Sequence, residues 1–424
     1  MTSTAPPAQN NHVSKNTAIL LFMAFAFAYF LSALIRAIAA TLSPTLTLEL
    51  SLKASDLGLL AGGYFLGFAA MQLPLGNWLD RFGPKKVILA FLTMAVLGCV
   101  AFALATSFHG LLAARVLCGA GVSACLMAPL TGYRRWLSAD VQVRANSWML
   151  MTGSLGMLAS TLPVQWLMPV IGWRGIFWCL AAMVMLAMAL IALKVPTWTT
   201  LTASTDVKAG PAVAAMGYRD IWRHPYFRKV LPVGFFIYGG LVAMQTLWAG
   251  PWMVKVAGFS GLQAATGLFW INLTMLFTFW AWGMAAPWLA RRGLGADRLM
   301  SWGLPSCFVP IAILCIAGSD ANIAVTALFA LFCMGCSFSS LSQPAVGMAF
   351  PPQLAGRALS AFNLVIFAGV FVVQWGIGLG IDAFKAMGLV EVDAFRAAFG
   401  VFLVGCVLSY LWFLFAPGRP AQQT

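Results

Sequence analysis

The chain has 424 residues, of which 61% are apolar and only 8% charged, with 32 Phe and 17 Trp. Too few polar side chains remain to cover a water-soluble globule, so lipid is the solvent for most of the surface. The net charge of +14 would suit a nucleic-acid partner, but the basic residues gather at the ends of apolar runs, where they belong to a membrane face.

Residues 1–16 read as a disordered cytoplasmic tail. Apolar runs then predict helices near 17–42, 55–79, 86–106, 109–133, 144–168 and 174–195, each able to cross a hydrocarbon core of roughly 30 Å. The first run is far longer than a signal-peptide core and has no small-residue cleavage site after it, so it reads as a retained helix. A Thr/Ala/Gly-rich cytoplasmic linker over 197–226 follows, ending in the basic segment Tyr218 to Pro225. A second set of helices is predicted near 227–253, 261–289, 297–317, 321–348, 357–380 and 394–416, with a cytoplasmic tail over 417–424. The runs lack the polar/apolar alternation of barrel strands, so the fold class is all-α, twelve transmembrane helices in two six-helix bundles, 17–196 and 227–416.

Placing the chain start inside puts eighteen basic residues on the cytoplasmic side, among them Lys85, Lys86, Arg134, Arg135, Arg291 and Arg292. The outer loops keep five: Lys53, Arg174, Lys255, Lys385 and Arg396. This excess sets both chain ends in the cytoplasm and the protein in the cytoplasmic (inner) membrane. Tryptophans near helix ends, such as Trp78, Trp136 and Trp198, read as interface anchors. The nine cysteines all fall in apolar runs, and Cys333-x-x-Cys336 reads as packing.

Arg36 and Arg115 are the two basic residues placed well inside the membrane, and all eleven acidic residues lie in loops or at helix ends. An intramembrane Arg costs roughly 2.5–3.5 kcal/mol on insertion scales unless something compensates it. Arg36 precedes Pro44 by eight residues and Arg115 follows His109 by six, which sets both roughly 9–12 Å below the outer surface. From that depth they either snorkel to the outer headgroups or face a shared cavity. Tyr29, Ser32, Arg36 and Ser43 form one polar stripe on the first helix, which favours the cavity. Further candidates for the same space are Tyr64 and Gln72 on the second helix, Tyr238, Gln245 and Trp248 on the seventh, Asn272 on the eighth, and Asn363 and Gln374 on the eleventh. Polar groups in membrane helices serve equally as glue between helices, so these carry both readings. The three histidines sit at surfaces and no acid is buried, so neither a catalytic set nor a metal or cofactor site is expected.

The halves echo each other: Arg144-Ala-Asn-Ser opens the fifth helix and Arg357-Ala-Leu-Ser the eleventh, while Val164-Gln-Trp166 matches Val373-Gln-Trp375. Two such repeats around a midplane cavity suit alternating access. The loop Gly76-Asn-Trp-Leu-Asp80-Arg81-Phe-Gly83-Pro-Lys85-Lys86 closely resembles the signature of the major facilitator superfamily. Arg115-x-x-x-Gly119-x-Gly121, Ile171 to Phe177 and Gly356-Arg-Ala-Leu-Ser360 support the resemblance, which covers the whole chain. It implies a conformational latch on the cytoplasmic side built from Gly76, Asp80, Arg81, Gly83, Arg144 and Arg357. An arginine on the first helix and another on the fourth resembles the organic-anion (anion:cation symporter-like) branch, where such guanidinium groups clamp a carboxylate. Where that branch carries acidic residues for a coupling proton, this chain has Ile35 and Val122. The expectation is therefore a small organic anion, a carboxylate first of all, as substrate and a monomer in the bilayer. A zwitterionic amino acid or short peptide, or a drug or metabolite for export, is the alternative cargo.

Overall fold

The computed structural model describes residues 13–196, 217–321 and 324–418 and is all-helical, with no strand among the described residues. The predicted tail over 1–12, most of the linker with Trp198, and the tail beyond Gly418 lie outside them.

The first helix, α1 (Lys15–Leu50), begins at Ser14, whose hydroxyl accepts the Thr17 amide at 3.3 Å. It ends at Ser51, which adopts a left-handed φ of 51°. Its length exceeds the expected 17–42 because Pro44 does not stop it. Proline removes one amide and so frees the carbonyl four residues earlier, here that of Ala40, which the Ser43 hydroxyl bonds at 2.8 Å. The expected second helix is two, α2 (Ala54–Ala70) and α3 (Gln72–Phe82), bent by 44°. At this bend the Gln72 amide bonds the Phe68 carbonyl at 3.2 Å.

Then come α4 (Pro84–Leu104), α5 (Phe108–Val122), α6 (Ala124–Trp136), α7 (Ala139–Ala159) and α8 (Leu162–Lys194). The expected fifth helix stops at Ala159, and its last part runs into α8, which turns at Gly172 with φ 65°. The short α9 (Tyr218–Arg223) precedes α10 (Pro225–Lys255), which contains two π-helical stretches, Val233–Tyr238 and Met244–Trp248. The rest are α11 (Gly261–Arg291), α12 (Ala296–Ala317), α13 (Ala324–Met348), α14 (Pro352–Ala386) and α15 (Glu391–Phe415). Ten helical spans among the described residues are long and apolar enough to cross a membrane, and counting the bent pair α2–α3 gives eleven. The expected twelfth, α7, falls short of that test; it carries Asp140 and Arg144 in its first two turns. Many large apolar side chains lie on the outside, including Trp166, Leu193, Ile316 and Phe415. In water this would be an aggregating surface, and in lipid it is the solvated one. Trp136 departs from its expected place at the interface: it is buried and stacks on Phe25 with centroids 6.5 Å apart.

The two halves meet where α2 packs along α14, α1 along α10, and α7 along α11. Glycine permits the closest approaches. A Cβ on Gly58 would overlap the Gln374 carbonyl, and one on Gly378 the Ala54 carbonyl. On Gly250 it would sit 2.9 Å from the same Ala40 carbonyl that Pro44 freed. Both ends of the described chain lie on one face, since the Val13 amide bonds the Trp136 carbonyl and Lys229 Nζ bonds the Gly418 carbonyl. The α1–α2, α10–α11 and α14–α15 turns lie on the opposite face.

Candidate functional site

Arg36 lies at the junction of the halves. It is half-buried, Tyr29 of its own helix and Tyr64 of α2 lie beside it, and Tyr238 on α10 of the other half is within electrostatic reach. Its Nε has no hydrogen-bond partner, and among the described residues it makes no ion pair within 4.0 Å. Tyr238 closes the first π-helical stretch of α10. A π-turn widens the helix by one residue, leaves backbone groups less regularly paired and is frequent at functional sites. The polar stripe on α1 is therefore directed partly as expected: Tyr29 and Arg36 face the junction, the Ser32 carbonyl accepts the Tyr64 hydroxyl at 3.3 Å, and Ser43 is spent on its own helix.

Arg115 has a different environment. It is 1% exposed, its Nη1 donates to the Ile35 carbonyl at 2.9 Å, and its guanidinium stands over the Tyr64 ring at 5.3 Å. All these partners belong to the N-terminal half, so the guanidinium does not reach a headgroup and does not share Arg36's junction. Its Nε and Nη2 are unpartnered, beside a cavity of about 10 Å³ walled by residues such as Ile38, Leu42, Leu60, Phe102 and Phe177. That space is far below the roughly 300 Å³ of a small-ligand pocket. The glycines after Arg115 explain how it is buried. A Cβ on Gly119 would overlap the Tyr64 carbonyl and one on Gly121 the Ala95 backbone, so the motif lets α5 touch α2 and α4 backbone to backbone.

In the C-terminal half the polar candidates mostly bond one another. Gln245 Nε2 reaches Asn272 Oδ1 at 3.5 Å, and Asn272 Nδ2 donates to the Leu268 carbonyl at 2.9 Å. Gln374 Nε2 donates to Thr246 Oγ1 at 2.9 Å, and Trp248 Nε1 donates to the Gln374 carbonyl at 3.0 Å. Asn363 Oδ1 accepts from Gln343 Nε2 at 2.9 Å, which ties α13 to α14. Gln374 Oε1 is unpartnered. Thr246 and Gln343 complete these pairs; Thr246 is a short side chain on an apolar helix and Gln343 ends the serine-rich stretch that starts at Ser337, so neither stands out in the sequence as a binding group.

Of the signature-loop residues, Gly83 has φ 78° and starts α4 ahead of Pro84, the turn its lack of a side chain permits. Arg81 lies over Phe82 at 5.1 Å, and a Cβ on Gly76 would meet nothing within 4 Å. Asp80 and Arg144 are exposed, and among the described residues Asp80 makes no ion pair within 4.0 Å. Arg357 is exposed at the start of α14. The carboxylate that joins the halves is on the opposite face. Asp382 near the end of α14 accepts the Ala54 amide at 3.2 Å and the Ser55 amide at 2.8 Å, capping the first turn of α2. Those amides have no partner within their own helix, and a carboxylate there also meets the positive end of the helix dipole.

A family model described as Major Facilitator Superfamily matches residues 25–374. The chain is 25% identical over 332 residues to the Major facilitator superfamily multidrug transporter mfsC of Aspergillus fumigatus, 73% of this chain and 63% of that one. It is 25% identical over 259 residues to the Probable sulfoacetate transporter SauU of Cupriavidus necator, 56% of this chain and 57% of that one. It is also 30% identical over 138 residues to the Hexuronate transporter of Escherichia coli, 32% of each chain. The matched stretches thus span less than two thirds of these relatives. Among solved structures a D-xylose-proton symporter superposes with a TM-score of 0.78 at 16% identity, covering 96% of this chain and 99% of that one, which shows the fold.

Proposed function

This chain belongs to the major facilitator superfamily, a secondary transporter and not an enzyme, and we propose that it carries a small organic anion, a carboxylate first of all, by alternating access. The observation that supports this most is Arg36: an intramembrane guanidinium with no acidic partner, with Tyr29 and Tyr64 beside it and Tyr238 of the other half within electrostatic reach. A planar, always-charged fork suits a carboxylate or another oxyanion bidentately, and an anion seated there would offset the cost of holding Arg36 in the membrane. Two relatives carry in their names, sulfoacetate and hexuronate, molecules that are anions.

Within this reading Tyr29 and Tyr238 offer hydroxyls to the anion, Tyr64, whose hydroxyl is spent on the Ser32 carbonyl, walls the site between the two arginines, and Arg115 holds the Ile35 carbonyl so that α1 presents Arg36 correctly. Ser32 supports Tyr64, and Gln245, Asn272 and Gln374 line the far side, with Asn363 as glue. The proposed arrangement in the membrane has twelve spans, α7 being the fifth, with both chain ends in the cytoplasm. Asp80 then engages Arg144 or the start of α14 near Arg357 in the alternate conformation, as Gly76, Arg81 and Gly83 let the loop approach. Ile35 and Val122 stand where a coupling carboxylate would be needed, which leaves exchange against another anion, a proton carried on the substrate, or facilitated movement without coupling.

The test is uptake of radiolabelled hexuronates, short sulfonates and a carboxylate panel into proteoliposomes by the unmodified chain and by Arg36→Ala. Uptake of an anion by the former and background flux by the latter is expected. Transport by the alanine variant at the unmodified rate, as a neutral drug substrate would give, overturns the reading.

A further inference from the structure

The face opposite the chain ends carries few cations. Arg174 is locked onto Glu49 at 2.5 Å and lies over Trp173, while Arg396 is held by Asp393 at 2.8 Å and by the Cys315 and Ile316 carbonyls, each at 2.7 Å. The other three basic residues of this face, Lys53, Lys255 and Lys385, line one cavity of about 520 Å³ between the halves. They come from the start of α2, the end of α10 and the end of α14, far apart in sequence.

Their charges are only partly offset there. Glu391 is shared, 3.8 Å from Lys255 Nζ and 3.6 Å from Lys385 Nζ, both long for an ion pair. The cavity's other carboxylate, Asp382, bonds the Ala54 and Ser55 amides, so three ammonium groups face two carboxylates and one positive charge is left over. Lys53 makes no ion pair within 4.0 Å among the described residues; Asp56 beside it accepts its backbone amide instead. The walls between these cations are apolar: Pro44, Leu48, Leu57, Trp248, Pro251 and Phe395. A volume of this size fits a small molecule, and a greasy wall with an excess of ammonium groups selects one with an apolar body and an anionic group.

We propose that this cleft is a second, outward-opening binding site for amphipathic organic monoanions, separate from Arg36, and that it is where an anion docks before or after passage. None of its lining residues is Arg36 or one of the tyrosines beside it; on α1 the lining starts at Ser43, seven residues beyond Arg36. The site stands on these lysines alone and does not require that Arg36 bind substrate.

Naphthalene-2-sulfonate titrated calorimetrically into the full chain in nanodiscs of zwitterionic lipid tests it. Binding is expected, and Lys53→Gln/Lys255→Gln/Lys385→Gln raises Kd at least about tenfold, with about threefold for Lys53→Gln alone. Arg36→Ala leaves that Kd unchanged. Uncharged naphthalene-2-sulfonamide binds the unmodified chain and the triple variant alike. No binding by the unmodified chain, or an unchanged Kd in the triple variant, overturns the proposal; loss in Arg36→Ala alone assigns the probe to the other site and also overturns it. A second measurement needs no variant. The sulfonate should protect Lys53, Lys255 and Lys385, but not Lys86, from acylation by a water-soluble amine reagent, and equal labelling with and without it is equally fatal.

Discussion

The surroundings of Arg36 and Arg115 differ in one respect that matters for a transporter: whether they span both halves. Tyr238 of the C-terminal half lies within electrostatic reach of Arg36, so the field around it changes whenever the halves rock. Arg115 touches Ile35 and Tyr64, both of its own half, so its surroundings move with it. A buried charge marks a transport site when its neighbours belong to two moving bodies. A charge whose neighbours share one body is part of that body's architecture.

The largest effect should come from Arg36→Ala. Truncating one member of a buried charge pair typically removes 2–5 kcal/mol, so uptake should fall roughly 30-fold or more while the melting temperature stays within a few degrees. Arg36→Lys should recover only part of the rate, because an ammonium lacks the planar fork. Next comes Gly119→Val, which would break the comparison from the other side. Its side chain overlaps the Tyr64 carbonyl, and forcing α5 off α2 should destabilise the chain by about 1–3 kcal/mol, read as a lower melting temperature. Arg115→Leu is the sharper case. Removing a buried cation with two unpartnered nitrogens can leave stability unchanged or raise it, because the desolvation cost goes with it. The Ile35 carbonyl loses its donor, so KM for the anion should rise about tenfold, the equivalent of 1.4 kcal/mol, with kcat less affected. A collapse of kcat equal to that of Arg36→Ala would erase the distinction between the two arginines.

Much of this was readable in the sequence, and the misses have physical causes. Hydropathy locates spans because lipid demands long apolar runs, and Arg36 stands out because charge in such a run is costly. Pairing the arginines by depth failed to separate their environments because depth fixes one coordinate and helix rotation fixes the rest. Ser43 looks like part of a binding stripe, but Pro44 next to it frees a carbonyl that a hydroxyl can take locally. Trp136 looks like an anchor by its position at a helix end, but it is covered by α1 through Phe25. The π-turns of α10 leave no hydropathy mark, since one extra residue per turn does not change composition. The lysine cleft was invisible for a related reason: its cations are separated by roughly 130 to 330 residues, and only the assembled halves bring them together.

The smallest expected effect concerns the two faces of the same contact. On one face Asp382 caps α2 across the halves, and on the other Asp80 is exposed. Asp382→Asn keeps the shape and removes the charge, so what is lost is the carboxylate's interaction with the amides and dipole of α2, about 1 kcal/mol at a partly exposed helix end. That should speed hydrogen exchange at the Ala54 and Ser55 amides about fivefold, because each opening of the cap now costs less. Asp80→Asn should leave exchange at those two amides unchanged. The contrast is informative because the two aspartates differ little in sequence setting, each beside a glycine-containing helix end. If both asparagine variants change exchange at Ala54 and Ser55 alike, the cap is not a local device and the two faces are coupled through the helices. If only Asp382→Asn does, the α2–α14 contact is fastened at one end, and the halves are free to part at the other.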